Sequence, residues 1–246
     1  DLEKRLIGLG ERASKALIVV EGIYSMLGDR APLREIVEIK RRYGSYLLVD
    51  EAHSLGVLGE HSRGLAEEAG VEDEVDFVVG TFSKSLGTVG GFCVSRHPQL
   101  ELLRYSIRPY IFTASSTPAV IASTRAALRL VRGRPEVQQQ LWENARRVYN
   151  GLKELGFNVG PEPSPVVATL MENREQAIAA WNRLLELGVY VNLVLPPAAP
   201  KSSSLLRCSL SAAHTPEQID RILAAYASLV ESGDKASGVP FKVAIT

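Results

Sequence analysis

Short, unbroken apolar runs alternate with helix-period stretches through the first half of the chain. Leu17–Val20, Tyr46–Val49 and Phe77–Val79 are continuous aliphatic or β-branched segments, the pattern of strands buried on both faces of a parallel sheet. Between the first two, Leu33, Ile36, Val37 and Ile39 recur at helical spacing within Pro32–Tyr43. Pro32 suits the first turn of that helix and Gly44 its C-terminal stop. This predicts a β-α-β unit with a right-handed crossover, and Gly91–Ser95 is a further short strand candidate. Asp1–Ser14 is charged and amphipathic, with no methionine at its head. It reads as the tail of a helix feeding a buried strand, so the chain is expected to be a piece of a longer protein.

From Thr117 to Leu155 the period is mostly helical, broken at Gly133–Pro135. After Gly156, Val166–Met171, Val189–Val194 and Leu205–Ser209 read as strands, with a helix over Arg174–Leu187 between the first two. Thr215, Pro216 and Gln218 supply an N-cap, an N1 proline and a capping-box glutamine. The helix they open has Ile219, Ile222, Leu223, Tyr226 and Leu229 as its buried stripe. The expected organisation is an α/β class chain. A mainly parallel large domain with an interdomain helix fills 1–150, and a smaller C-terminal α+β domain with a tail fills 151–246. The tail after Ser232 is expected to be poorly ordered until Val239–Ile245.

Composition narrows the function classes. Of 246 residues, 46% are hydrophobic and 23% charged, which fits a globular chain with one or two cores. Lys+Arg and Asp+Glu both number 28, so no net field draws the chain to nucleic acid or to an anionic membrane. No apolar run reaches the roughly 18 residues of a spanning helix, and the first residues do not resemble a signal peptide. Cys93 and Cys208 sit in apolar stretches without metal-ligand spacing, which predicts two buried thiols in a reducing cytoplasm and no metal.

Three segments fall just past strand ends, where open α/β sheets bind ligands. They are Glu21–Ser25 after the first strand, Asp50–His53 after the second, and Gly80–Ser85 after the third, continuing into Gly87, Gly90 and Gly91. Singly, an aspartate after a strand is usually a turn residue and a lysine in a Gly/Ser loop is usually solvated. Together, Asp50 and Lys84 match what pyridoxal 5′-phosphate (PLP) needs: an amine to hold it as an imine and a carboxylate beside its ring nitrogen. The carboxylate favours the protonated ring, which then accepts electrons from a carbanion. Lys84 has to be partly desolvated to act as nucleophile and then as acid or base. Thr81 and Ser83 can donate to a phosphate, and His53 can reach the ring from another edge. The string Asp50-Glu51-Ala52-His53 also fits a helicase metal site, but that needs an upstream G-x-x-x-x-G-K-[ST] loop, and the chain has none.

At these residues the chain resembles the α-oxoamine synthases, which are fold-type I PLP-dependent transferases. Glu21–Asp29, Leu48–Ser54, Gly80–Gly91, Arg108–Ser115 and Leu205–His214 carry the likeness, which runs over almost the whole chain. Thr81–Ser85 and Pro109–Thr113 are most similar to the bacterial serine palmitoyltransferase branch. The resemblance implies that Lys84 forms the imine, Asp50 pairs with the pyridinium and His53 bonds the phenolic oxygen, with Ser25 touching that edge. It also implies that Thr81 and Ser83 bind the phosphate. Thr113 would reach the phosphate of a neighbouring subunit in a homodimer, and Arg207 would take the amino-acid carboxylate.

The implied reaction is a decarboxylating Claisen condensation of L-serine with palmitoyl-CoA or a similar long-chain acyl-CoA, giving 3-ketodihydrosphingosine, CoA and carbon dioxide. This is the first step of sphingolipid biosynthesis and implies a cytoplasmic enzyme. Two departures stand out. Leu195 lies where some of these enzymes carry a carboxylate-binding arginine, and the upstream glycine-rich segment with a ring-stacking histidine has no counterpart. The alternatives are 8-amino-7-oxononanoate synthase, 2-amino-3-ketobutyrate CoA ligase, a non-catalytic partner subunit, or a fragment that binds no cofactor.

Overall fold

The computed structural model describes residues 1–199 and 203–232. The tail after Ser232, with its Val239–Ile245 run, lies outside the described residues. The chain divides into two compact units, one of Asp1–Ile23 with Arg30–Pro135, the other of Tyr24–Asp29 with the chain from Glu136 on.

In the first unit, helix α1 (Leu2–Leu9) and a 3-10 turn (Gly10–Lys15) lead into strand β1 (Leu17–Glu21). Helix α2 (Leu33–Tyr43), strand β2 (Tyr46–Asp50), the short helix α3 (Leu65–Glu68) and strand β3 (Phe77–Thr81) follow. Strand β4 (Gly91–Ser95) turns back beside β3, and helices α4 (Leu100–Ser106), α5 (Arg108–Ile111) and α6 (Pro118–Gly133) complete the unit. The sheet order is β1-β2-β3-β4, parallel across the first three strands and antiparallel at the last. The expected β-α-β is therefore present. Gly44 ends α2 in the left-handed conformation at φ 66°, as its lack of a Cβ permits.

Strands β1 and β2 are covered on one face rather than two, and β3 is half-buried throughout. Ile18, Leu47 and Val49 are buried, as are Leu33, Ile36 and Val37 of α2, which lies against β2. On alternate positions Val19 is 61% and Leu17 48% exposed. A continuous apolar run cannot tell one covered face from two, because both keep every residue hydrophobic. Cys93 likewise is exposed, while Cys208 is buried as expected.

Asp76, before β3, pins the opposite edge of the sheet. It accepts from the Leu47 N–H at 2.8 Å, pairs with Lys40 at 2.9 Å and meets His97 Nε2 at 2.8 Å. Burial pushes its carboxyl up, but the His97, Lys40 and Leu47 contacts outweigh that and hold it below the usual range.

The second unit holds helix α7 (Pro135–Glu154), strands β5 (Asn158–Val159) and β6 (Val166–Met171), and helix α8 (Arg174–Glu186). Strands β7 (Asn192–Val194) and β8 (Ser204–Ser209) and helix α9 (Pro216–Ser232) follow. Its antiparallel sheet runs β5-β6-β8-β7. The expected capping box forms: Thr215 Oγ accepts from Gln218 N–H at 3.3 Å, and Gln218 Oε1 from Thr215 N–H at 2.9 Å.

The division falls near residue 135 rather than 150. Val148, Tyr149 and Leu152 of α7 pack in one core with Val167, Leu206, Ile219 and Tyr226, so the helix belongs with that core. Tyr24–Asp29 joins the same unit through close backbone approach. A Cβ on Gly28 (φ 77°) would strike the Val166 carbonyl, and one on Gly160 would strike that of Leu27. Among the described residues no helix is long and apolar enough to cross a membrane. No group of three metal-ligating side chains occurs among them either.

Candidate active site

The site builds up at the carboxyl edge of the first unit's sheet. Asp50 is the last residue of β2 and stands in register between Glu21 of β1 and Val79 of β3. Its Oδ1 accepts the Ala52 N–H at 2.9 Å, closing a short turn that orients the half-buried carboxylate. The next turn is held by Ser54 and Leu55 N–H groups donating to the Glu51 carbonyl at 3.1 and 2.8 Å, with His53 inside it.

Two residues beyond Val79, Thr81 ends β3 on the same face as Asp50. The loop from Phe82 to Gly90 then reverses the chain. Phe82 N–H donates to Gly90 O at 2.9 Å, Thr88 N–H to Phe82 O at 2.8 Å, and Gly87 N–H to Lys84 O at 3.0 Å. Gly87 (φ 61°) makes that last turn in a conformation glycine tolerates. Inside the loop, the Thr81 hydroxyl donates to Gly90 O at 3.1 Å and accepts the Ser83 N–H at 3.2 Å. The Ser83 hydroxyl stands 2.8 Å from Thr81 Oγ1 and so donates to it. The topology thus brings Asp50, His53, Thr81, Ser83 and Lys84 to one edge. Lys84 sits in the turn with an exposed side chain, so its neighbours here do not supply the expected desolvation.

Thr113 follows α5 and is exposed, with its hydroxyl donating to the Pro109 carbonyl. Ser25 and Arg207 lie in the second unit and meet each other: Arg207 Nε donates to Ser25 O at 2.6 Å and Nη1 to Ser209 Oγ at 2.5 Å. Burial pulls the Arg207 guanidinium below its ordinary value. Leu195 packs against the second unit's apolar core.

Sequence reasoning passed over Glu51, which is fully buried and accepts the Leu65 and Ala66 N–H groups, each at 2.9 Å, plus the Ser54 hydroxyl. An acidic residue one step past a buried strand was the signal, masked by its place inside the Asp50–His53 string.

The donor set fits PLP: a carboxylate for a ring nitrogen, an amine for an aldehyde, and paired hydroxyls beside a glycine-rich turn for a phosphate. The sequence profile of the class I and II aminotransferases matches residues 1–225. A serine palmitoyltransferase from Caulobacter vibrioides is 60% identical over 229 residues, which cover 93% of this chain and 57% of that protein. An 8-amino-7-oxononanoate synthase from Alkaliphilus metalliredigens is 35% identical over 234 residues, covering 95% of this chain and 59% of that protein. The structure of serine palmitoyltransferase from S. paucimobilis with a bound PLP–myriocin aldimine matches with a TM-score of 0.90 at 48% identity, covering 94% of this chain and 58% of that one. The chain spans somewhat more than half the length of the curated relatives it matches.

Proposed function

Because this chain belongs to the class I and II aminotransferase family, we propose that it supplies the lysine-bearing part of a PLP-dependent serine palmitoyltransferase. Its architecture is the fold-type I transferase fold. The reaction proposed joins L-serine to palmitoyl-CoA or a similar long-chain acyl-CoA, releasing CoA and carbon dioxide and leaving 3-ketodihydrosphingosine. The observation that carries the reading is that Asp50 and the Thr81–Lys84 loop share one sheet edge.

When bound, PLP supplies an aldehyde for the serine amine and an electron-accepting ring that stabilises negative charge at the serine α-carbon. Lys84 would offer the amine that holds the cofactor and, when that amine is free, would take the proton from the serine α-carbon. Asp50 keeps a proton on the ring nitrogen by opposite-charge attraction. His53 would bond the phenolic oxygen, and Ser25 is a second candidate for that bond. Thr81 and Ser83 turn their hydroxyls to the phosphate, leaving the bond they now share. Arg207 takes the serine carboxylate. Thr113 serves the site of a second copy in a homodimer, a reading supported by the exposed Tyr105, Tyr110 and Phe112 around it, at 80%, 57% and 82%. A cytoplasmic location goes with two cysteines that are both free thiols.

The test is an absorbance titration with PLP, in wild type and in Lys84→Ala, followed by product analysis. A visible imine band is expected in wild type and lost in the variant. Serine with long-chain acyl-CoA should then be the productive pair. Turnover of glycine or alanine, or of a short acyl-CoA, in their place would point instead to another branch of the family, which the 35% identical 8-amino-7-oxononanoate synthase keeps in view.

A further inference from the structure

Asp50 and Glu51 are chain neighbours with opposite surroundings. Asp50 stands half-buried at the site, while Glu51 is fully buried on the other side of the strand, as the alternation of a β-strand requires. Glu51 Oε1 accepts the Ala66 N–H and Oε2 the Leu65 N–H, each at 2.9 Å, and the Ser54 hydroxyl completes the set. Two glycines make room for it. A Cβ on Gly22, just past β1, or on Gly64, just before α3, would run into the Glu51 carboxylate. The Gly22 N–H in turn donates to the Asp50 carbonyl at 2.8 Å, and Glu51 N–H to Val79 O at 2.8 Å. One side chain therefore ties the turn after β2 to the start of α3, and the backbone it ties is the one that carries Asp50 and His53.

We infer that Glu51 is a positioning residue, whose buried carboxylate fixes the direction in which Asp50 presents its own carboxylate and the turn in which His53 sits. The role concerns this chain's own residues and rests on the proposed function only for its purpose. The Ala66 and Leu65 N–H groups each donate to a different oxygen, so the site calls for two acceptor oxygens, which a carboxyl group has and an amide does not. Burial pushes the Glu51 carboxyl up, and the Ser54, Ala66 and Leu65 donors pull against it. Glu67 provides a control. Its half-buried carboxylate accepts the His61 and Arg63 N–H groups and makes no hydrogen bond to the turn from Asp50 to Ser54.

The experiment compares Glu51→Gln, Ser54→Ala and Glu67→Gln by residue-resolved amide hydrogen exchange, with and without PLP. Ala52 is the reporter, since its N–H donates to Asp50 Oδ1. Losing one hydrogen bond speeds exchange by about tenfold. Glu51→Gln should speed exchange at Leu65 and Ala66 and, by the same order, at Ala52. Glu67→Gln should leave Ala52 unchanged. Ser54→Ala gives the same signature more weakly and serves if Glu51→Gln does not fold. With PLP, the imine band of Glu51→Gln should titrate at a different pH from wild type. Fast exchange confined to Leu65 and Ala66, with Ala52 and the band's titration unmoved, would overturn the inference. The absence of any band in wild type would count against the proposed function alone, because the Ala52 readout needs no cofactor.

Discussion

The hydroxyl oxygens of Thr81 and Ser83 stand 2.8 Å apart where β3 ends and the lysine loop begins. Thr81 also ties that loop to its return strand through Gly90 O. One residue therefore has two duties, shaping the turn and offering a donor, whereas Ser83 only offers a donor. Ser83→Ala should weaken PLP binding by about tenfold, the worth of one hydrogen bond to a charged group, without changing the melting temperature. Thr81→Val should do both, lowering the melting temperature as well. Parallel PLP titrations and thermal melts separate the two.

Lys84 is exposed, in the turn closed by Gly87 N–H. Replacing its side chain removes no packing. Lys84→Ala should therefore change stability by less than about 0.5 kcal/mol while abolishing the imine band. A denaturant melt beside the absorbance titration checks both halves.

Asp50→Asn keeps an oxygen that can accept the Ala52 N–H, so the turn should survive. What goes is the charge proposed to hold the ring proton. The variant should bind PLP and still form the imine, yet exchange the α-proton of serine at least tenfold more slowly. Deuterium exchange into serine, followed by proton NMR, reads this step apart from condensation.

Asp76 sets an acid limit. Its folded pKa lies below the unfolded one, so its contribution is complete above the unfolded value and is lost as pH falls through the folded one. Stability should decline as pH drops below the ordinary carboxylate range. Asp76→Asn should flatten that decline and cost about 2 kcal/mol at neutral pH, by weakening the contacts to Lys40 and Leu47. Urea melts of both proteins from neutral to acid pH test the sign.

Much of this was legible from residue order. The ends of β2 and β3 were marked by Asp50 and Thr81, and the Thr215–Gln218 capping box by its spacing. What stayed hidden depends on which surfaces meet. The apolar stripe of α7 says that one face is buried, but not that Val148 and Leu152 pack against Tyr226 rather than with the first unit. Val189 and Val191 are buried outside any ladder, so the strand expected from Val189 begins only at Asn192. Nor does residue order reveal that Ser25 and Arg207, far apart in the chain, share a hydrogen bond. Lys84 looked like a desolvated amine because its chemistry needs one, and burial is not a property of chemistry.

We propose Lys84 as the residue that holds the cofactor. Incubating the chain with PLP, reducing with borohydride and mapping the modified peptide by mass spectrometry tests it directly. One phosphopyridoxyl group per chain is expected, on Lys84 and absent from Lys84→Ala. Label spread over other lysines with Lys84 unmodified, or no label at all, would contradict it.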